Sequence, residues 1–158
     1  MTTTAFHSIT MGAAFTLALL GAAVSITAAQ AAPAPPNPCK LATVAEIEQI
    51  VGPLKSAPRA TDPKSGEITC AYEPAKGPSF IDISLHDGDL AAWKKSNGGK
   101  NAVMVPEFGP GAFATPDFQD FAEVYAKKGD FVLRISVPKS AQGVETVKAI
   151  ARKALPRL

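Results

Sequence analysis

Histidine and carboxylate side chains lie close together at one place in this sequence. His86, Asp87 and Asp89 are near neighbours, and Asp82 precedes them on the same predicted strand. A metal site needs three or more converging ligands, and a calcium loop needs acidic residues at alternate positions before a glycine, which this segment lacks. The pattern therefore favours a polar strand face and a turn, with Asp89 as the cap of a short helix.

A glycine motif also occurs, in residues 109–114, where Gly-Pro-Gly-Ala-Phe-Ala matches the dinucleotide fingerprint G-x-G-x-x-A. That fingerprint binds a pyrophosphate at the N-terminus of a helix that begins directly after the glycines. Pro116 excludes such a helix here, and the following residues have the pattern of a strand. We interpret the motif as a turn between strands and expect no cofactor.

Nucleophilic catalysis has few residues to use in this chain. A nucleophilic serine requires a base, and His86 is the only histidine after residue 31. The G-x-S-x-G segment that presents such a serine is absent. The sequence therefore favours a non-enzymatic protein and identifies no catalytic residues.

Four phenylalanines in a segment rich in glycine and proline are the best candidates for a recognition surface. Loops of this composition often carry function, and aromatic side chains supply much of the energy at interfaces. Phe113 and Phe121 are expected in the core, because strands bury aromatic residues. Phe108 and Phe118 are predicted to be the binding residues.

The first 31 residues carry no Lys, Arg, Asp or Glu and are mostly apolar or small. They end on Ala-Gln-Ala, a site of the type that signal peptidase cleaves, so residues 1–31 are predicted to be a signal peptide. The alternative is an uncleaved anchor, because Ile9 to Ala31 is long enough to cross a bilayer. The expected location is periplasmic or secreted.

Residues 32–38 are rich in proline and predict an extended linker, so residues 39–158 are expected to form a single folded domain. Its two cysteines, Cys39 and Cys70, are predicted to form a disulfide, as cysteine pairs in oxidising compartments usually do. A metal site or a redox pair is the alternative, but the chain has no Cys-x-x-Cys motif.

The charge of the chain bears on its partners. A formal net charge of +2 is too small to indicate a nucleic-acid partner. Four basic residues near the end of the last predicted helix suit the helix dipole, and weak membrane contact is their alternative role. They are Lys148, Arg152, Lys153 and Arg157. The expected partner is an envelope protein or a small ligand.

Helix and strand patterns predict the fold class. Thr43 and Glu46 form a capping box that opens a helix ending at Gly52, and a final helix is predicted over residues 142–155. A short helix follows Asp89. Alternating apolar residues predict strands at 69–73, 80–86, 102–105, 112–115, 121–126 and 131–137. This order predicts an α+β fold, with an antiparallel sheet, helices packed on one face, and one disulfide.

Several short motifs resemble those of a family of small secreted or lipid-anchored bacterial cell-envelope domains of unknown function. They are Pro-Cys-Lys-Leu at 38–41 before the helix that ends at Gly52, Cys-Ala-Tyr at 70–72, Phe-Gly-Pro-Gly-Ala-Phe at 108–113 and Lys-Lys-Gly-Asp at 127–130. The resemblance covers most of residues 38–158 and implies a disulfide-linked envelope domain with no implied activity. Unlike the lipid-anchored members, this chain has no lipobox before Cys39.

Three functions are compatible with these patterns. The first is an exported, non-enzymatic binding or accessory protein of the cell envelope. The second is a small periplasmic enzyme with a pocket between the sheet and the helices. The third is a protein inhibitor of a secreted hydrolase. An apolar pocket with converging titratable groups favours the enzyme, and an exposed aromatic loop favours binding or inhibition.

Overall fold

An antiparallel sheet of seven strands organises residues 36–61 and 67–158, which are the residues that the computed structural model describes. The strands are β1 (Arg59–Ala60), β2 (Ile68–Tyr72), β3 (Ile81–Asp87), β4 (Val103–Met104), β5 (Phe113–Phe118), β6 (Phe121–Lys128) and β7 (Phe131–Pro138). The helices are α1 (Val44–Val51), α2 (Leu90–Trp93) and α3 (Gly143–Ala154). The predicted signal peptide, residues 1–31, lies outside the described residues.

The strand order is β1-β2-β3-β7-β6-β5-β4, and each neighbouring pair is antiparallel. Strands that are consecutive in the chain pair with each other everywhere except at the centre. There β3 pairs with β7, in a register that runs from Asp82↔Ser136 to Asp87↔Phe131. Within the sheet, the two halves of the chain are therefore joined by this one central pairing of strands.

The capping box that the sequence predicts for α1 is present. The Thr43 N–H donates to Glu46 Oε2 (2.9 Å), and the Glu46 N–H donates to Thr43 Oγ1 (3.2 Å). Gly52 ends the helix with φ of 85°, a left-handed conformation that favours glycine. Arg157 pairs with the Glu46 carboxylate (2.8 Å), and its hydrogen bond is the main reason that the pKa of Glu46 falls to about 2.

One face of the sheet, which we call the apolar face, packs against α1 and α3. Aliphatic side chains from every second position of the central strands are buried there, as alternation predicts for β3 and β7. They include Ile81, Ile83 and Leu85 of β3, Val124 of β6, and Leu133, Ile135 and Val137 of β7. Val147 and Ile150 of α3 and Ile47 of α1 close the core from the other side.

The opposite face, which we call the polar face, is partly covered by the short helix α2. Leu90 and Trp93 of α2 pack against Phe113, Tyr125 and Val132. The predicted α+β fold with an antiparallel sheet is confirmed, with its two longer helices on the apolar face. The short α2 differs from them and lies on the polar face.

The predicted disulfide is confirmed. Cys39 and Cys70 are bonded, with their Cα atoms 5.0 Å apart. The bond joins the 3₁₀ turn Pro38–Lys40 to the second strand, β2. A disulfide is typical of proteins from an oxidising, extracellular compartment. Among the described residues, no helix is long and apolar enough to cross a bilayer.

The sheet departs most from the sequence-based prediction at β1 and at β5. Residues 54–66 have the polar, proline-containing composition that is typical of an exposed loop, yet Arg59 and Ala60 form β1 and pair with β2. A strand of two exposed residues is too short to show alternation. β5 continues through Pro116, and its pairing with β6 becomes irregular there because proline has no N–H to donate.

Candidate functional site

Phe108, one of the two predicted binding residues, ends the 3₁₀ turn Pro106–Phe108 in the loop between β4 and β5. The Val105 N–H donates to the Ala112 carbonyl (3.0 Å) and closes this loop. Gly109 and Gly111 have φ of 110° and 78°, which explains the glycine at both positions. The interpretation of Gly-Pro-Gly as a turn between strands is confirmed.

The Phe108 ring lies in the wall of a cavity of about 410 Å³, which we call the basic pocket. Leu155 and Pro156, at the end of α3, supply further apolar surface. The complete lining is Glu107, Phe108, Lys127, Lys128, Arg152, Leu155 and Pro156. The guanidinium carbon of Arg152 lies 5.9 Å from the centroid of the Phe108 ring, within the range of a cation–π contact.

Positive charge is in excess around this pocket. Lys128 Nζ donates to the Leu155 carbonyl (2.7 Å), so its ammonium lies at the C-terminal end of α3. The one acid in the lining, Glu107, is paired with Lys148 (3.1 Å). A hydrogen bond from its own backbone and then the Lys148 ammonium lower the pKa of Glu107.

Arg152 is the cation of the basic pocket that is best placed to bind an anionic ligand. Within the described residues it has the contact with Phe108 and no ion pair or hydrogen bond. Lys127, by contrast, donates to the Gly88 carbonyl (3.3 Å), which lies outside the lining. An exposed guanidinium above an aromatic ring suits a ligand that has both an anionic group and an apolar body.

Phe118, the second predicted binding residue, lies at the far end of β5, where it pairs with Phe121. Phe108 precedes the other end of this strand. Five residue steps along β5 span about 17 Å, so the structure does not bring the two rings together. Phe113 is fully buried as predicted, and Phe121 is half-buried against Phe80, with ring centroids 5.6 Å apart. The binding role of Phe108 and Phe118 stays a prediction.

A chain of hydrogen bonds, which the sequence analysis missed, crosses the polar face. Asn97 Nδ2 donates to the Tyr125 hydroxyl (2.8 Å), which donates to Glu123 Oε2 (2.7 Å). Arg134 Nη2 lies 2.7 Å from Glu123 Oε1, and its Nη1 lies 3.4 Å from Glu67 Oε1. Glu123 is fully buried. A buried carboxylate is stable only when it is paired, and Arg134 supplies the opposite charge.

The network continues across β2 and β3. Thr69 Oγ1 lies 3.2 Å from Glu67 Oε1 and 2.8 Å from Ser84 Oγ. His86 Nε2 is 3.5 Å from Glu67 Oε1, but it has no partner in hydrogen-bonding geometry among the described residues. The His86 ring packs on Trp93, with centroids 4.5 Å apart.

Burial controls the ionisation of this face. It lowers the pKa of His86, although the charge of Glu67 opposes the shift, so the imidazole is neutral at pH 7. Burial also raises the pKa of Asp82, and burial followed by the charge of Glu123 raises the pKa of Tyr125. The neutral His86 contacts a carboxylate and a ring, whereas the Ser84 hydroxyl is bonded to Thr69. This arrangement is not a nucleophile paired with a base.

Two further cavities are relevant to the alternative functions. A groove of about 350 Å³ on the polar face is lined by Thr61, Glu67, Thr69, Asp82 and Arg134. A cavity of about 600 Å³ lies between one end of the sheet, α1 and α3, where the enzyme hypothesis places its pocket. Lys139 is the only titratable residue among those that line this larger cavity. Within residues 36–61 and 67–158, no three potential metal ligands converge.

The sequence pattern that places Glu123, Tyr125 and Arg134 on one face lies in the hairpin of β6 and β7. A tight turn at Lys-Gly-Asp 128–130 pairs Lys128 with Phe131, and the same register pairs Tyr125 with Arg134. Alternation then places Glu123 on the same face as both of these residues. Glu67 and His86 join them through the order of β2, β3 and β7, for which the sequence contains no local signal.

Comparison with known proteins adds no relative: no family model, no curated protein and no solved structure matches this chain significantly. Arguments about function therefore depend on the geometry of the basic pocket and of the polar face.

Proposed function

We propose that this protein is a non-enzymatic binding protein of the cell envelope, periplasmic or secreted, which holds a small amphipathic anion in the basic pocket. The observation that carries the proposal is the Arg152 guanidinium, which lies above the Phe108 ring and forms no ion pair within the described residues. The pair offers one charged and one apolar contact to the same ligand. The disulfide supports an oxidising compartment.

The chemistry of the lining defines the ligand class. Phe108, Leu155 and Pro156 contact an aromatic or alkyl body, and Arg152 binds a carboxylate, sulfonate or phosphate group. A volume of about 410 Å³ lies within the usual range for small-molecule sites. Glu107 is paired with Lys148 and forms no ion pair with Arg152, whose charge is the weakest of the causes that lower the pKa of Glu107.

The alternative functions have less support. The cavity between the sheet and the helices has Lys139 as its single titratable lining residue, which gives an enzyme no acid–base pair. An inhibitor presents a protruding side chain, but Phe108 belongs to the hydrophobic core cluster and is only 8% exposed as a residue. A binding pocket uses a ring that is held in place in this way.

The proposal is tested with 8-anilinonaphthalene-1-sulfonate, an aromatic sulfonate whose fluorescence rises when it is bound. We expect saturable binding to the native protein and roughly tenfold weaker binding to Arg152→Ala, because a hydrogen bond to a charged group contributes about 1.5 kcal/mol or more. The matched control is Lys153→Ala, which removes an exposed cation from the same helix outside the pocket.

Circular dichroism of each variant excludes dye binding to unfolded protein. Equal affinity of Arg152→Ala and the native chain would contradict the proposal, as would an equal loss in Lys153→Ala. Absence of saturable binding to the native chain would also overturn it.

A further inference from the structure

Two apolar side chains on an edge strand are unusually exposed. Val103 and Met104 of β4 are 56% and 47% exposed, and among the described residues the only other exposed large hydrophobic side chain is Val44. β4 pairs with β5 on one side and ends the sheet on the other. Because side chains alternate along a strand, Val103 and Met104 project from opposite faces of the same edge.

Three lysines flank this edge. The chain has no acidic residue between Leu90 and Pro106, but it has Lys94, Lys95 and Lys100 there. Lys94 Nζ lies 3.0 Å from Met104 Sδ, so that its ammonium group is beside the exposed apolar surface. Sulfur is a weak acceptor and leaves the positive charge of Lys94 uncompensated.

The acids nearest in sequence have other partners. Asp89 caps α2 by accepting a hydrogen bond from the Ala91 N–H (3.1 Å), and Glu107 is paired with Lys148 (3.1 Å). None of the three lysines forms an ion pair with another described residue. The edge therefore combines a net positive charge with exposed apolar side chains.

Close packing holds the lysines in place beside the strand. A Cβ atom at Gly98 would lie 3.0 Å from the Ala102 Cβ and 3.4 Å from the Phe113 ring. Glycine thus allows the π-helical turn Lys94–Gly98 to lie directly against β5 and the residues before β4. Lys94 and Lys95 are therefore carried by a packed turn, and Lys100 lies in the 3₁₀ turn Gly99–Asn101 that follows it.

We propose that this edge, formed by Lys94, Lys95, Lys100, Val103 and Met104, docks the protein on an anionic lipid surface. Exposed apolar side chains beside lysines are typical of proteins that bind the bilayer interface, where each basic residue near the surface strengthens binding about fivefold. The docking is reversible, because two side chains insert far less apolar area than a lipid anchor does.

Other occupants fit the edge less well. A second copy of the chain would place two sets of lysines next to each other, and their repulsion opposes pairing. An extended peptide would add to the sheet through backbone hydrogen bonds, but β4 has only two residues to offer. Lysines beside an edge strand also oppose the addition of another strand.

Sedimentation with lipid vesicles tests the proposal. The protein purified from the exported fraction is mixed with vesicles of 30% phosphatidylglycerol and 70% phosphatidylcholine, and with vesicles of phosphatidylcholine alone. We expect binding to the anionic vesicles only, and its loss in 0.5 M salt. The triple variant Lys94→Gln, Lys95→Gln, Lys100→Gln should bind the anionic vesicles at least tenfold more weakly.

The matched control changes the same net charge elsewhere, at three other exposed lysines: Lys40→Gln, Lys76→Gln, Lys153→Gln. It should retain most of the binding. The variant Val103→Ser, Met104→Ser should bind several-fold more weakly while keeping the salt dependence, since it removes the apolar contacts alone.

Three results would overturn the proposal: an equal loss in the control triple, equal binding to uncharged vesicles, or soluble polyphosphate competing as effectively as anionic vesicles. The last result would identify an acidic polymer as the partner. The test is independent of the basic pocket, because none of these substitutions except Lys153→Gln lies on α3, and Arg152 is unchanged in all of them.

Discussion

The apolar and polar faces of the sheet are built by the same three central strands. Toward α1 and α3, β3, β6 and β7 present side chains such as Ile83, Val124 and Ile135. Toward α2, the same strands present His86, Glu123 and Arg134, and Glu123 is as completely buried as the aliphatic residues behind it. Equal burial therefore has opposite physical consequences on the two faces.

On the apolar face, each buried side chain stabilises the fold through the area that it removes from water. On the polar face, burial of Glu123 costs desolvation energy, and pairing with Arg134 offsets that cost. Such a pair contributes little net stability while it is intact, but loss of one partner leaves an unpaired buried charge. Stability on this face therefore depends on complete pairing more than on area.

Removal of the buried carboxylate should give the largest effect. Glu123→Ala leaves Arg134 without its main partner and the Tyr125 hydroxyl without an acceptor. We expect the free energy of unfolding, measured by urea denaturation, to fall by about 3–5 kcal/mol.

The double variant Glu123→Leu, Arg134→Met removes both charged partners, whereas Glu123→Ala removes only one. Comparing the two shows whether the lost stability comes from the missing carboxylate or from the Arg134 charge that is left behind. If pairing is what matters, this variant should be more stable than Glu123→Ala, because it removes both members of the buried Glu123–Arg134 pair. Glu67 also loses its contact with Arg134, but its side chain is 39% exposed to solvent. A double variant that is less stable than Glu123→Ala would show that the polar face contributes net stability, and the contrast between the faces would be lost.

Truncation of a side chain on the apolar face should lower the free energy of unfolding somewhat less than Glu123→Ala does, and without pH dependence. Ile150 of α3 is fully buried against the sheet. We expect Ile150→Ala to lower the free energy of unfolding by about 2–4 kcal/mol, through lost transfer energy and the cavity that remains. This loss should be the same at pH 5 and pH 7. A loss that varied with pH would mean that the two faces are coupled.

Replacement of His86 should give the smallest effect, which is a change in how the stability of the fold depends on pH. Burial lowers the pKa of His86 in the folded state, so below pH 6.5 the unfolded chain binds more protons at this residue. Stability of the native chain should therefore decrease as the pH falls from 7 through 6.5, and His86→Gln should remove that part of the slope. Nearby charges also shift the pKa of His86. The Arg134 charge lowers it, and three carboxylates raise it: Glu67, Glu123 and Asp87.

Thermal melting at half-unit pH intervals measures this slope. The comparison is made between pH 5.5 and pH 7.5, a range that spans the ordinary histidine pKa of about 6.5. Identical slopes for the native chain and His86→Gln would show that the imidazole has the same pKa in the folded and unfolded states.

The elements of the fold could be predicted because their signals are local. Thr43 and Glu46 are three residues apart and form the whole capping box. Alternation in β3 and β7 likewise predicts which side chains face the apolar core. The disulfide follows from there being only two cysteines after the predicted leader.

The two candidate sites depend on contacts between distant parts of the chain. The composition of its loop predicts a binding role for Phe108, but the contact of Phe108 with Arg152 depends on how α3 packs across the sheet. Glu67 lies beside Arg134 because β2, β3 and β7 are neighbours. Strand order of this kind is set by global packing, and a short window of sequence does not contain it.

The central pairing of β3 with β7 also determines how the chain reaches its fold. During synthesis from the N-terminus, β3 remains an edge strand until residues 131–138 are available, since β7 is its only partner on that side. Closing so long a loop slows folding, and an unpaired apolar strand is prone to aggregate in the interval. Both cysteines precede β3 in the chain, so all residues of the disulfide are present before residues 131–138 can complete the sheet. The disulfide can therefore join the N-terminal turn to β2 before β3 pairs with β7.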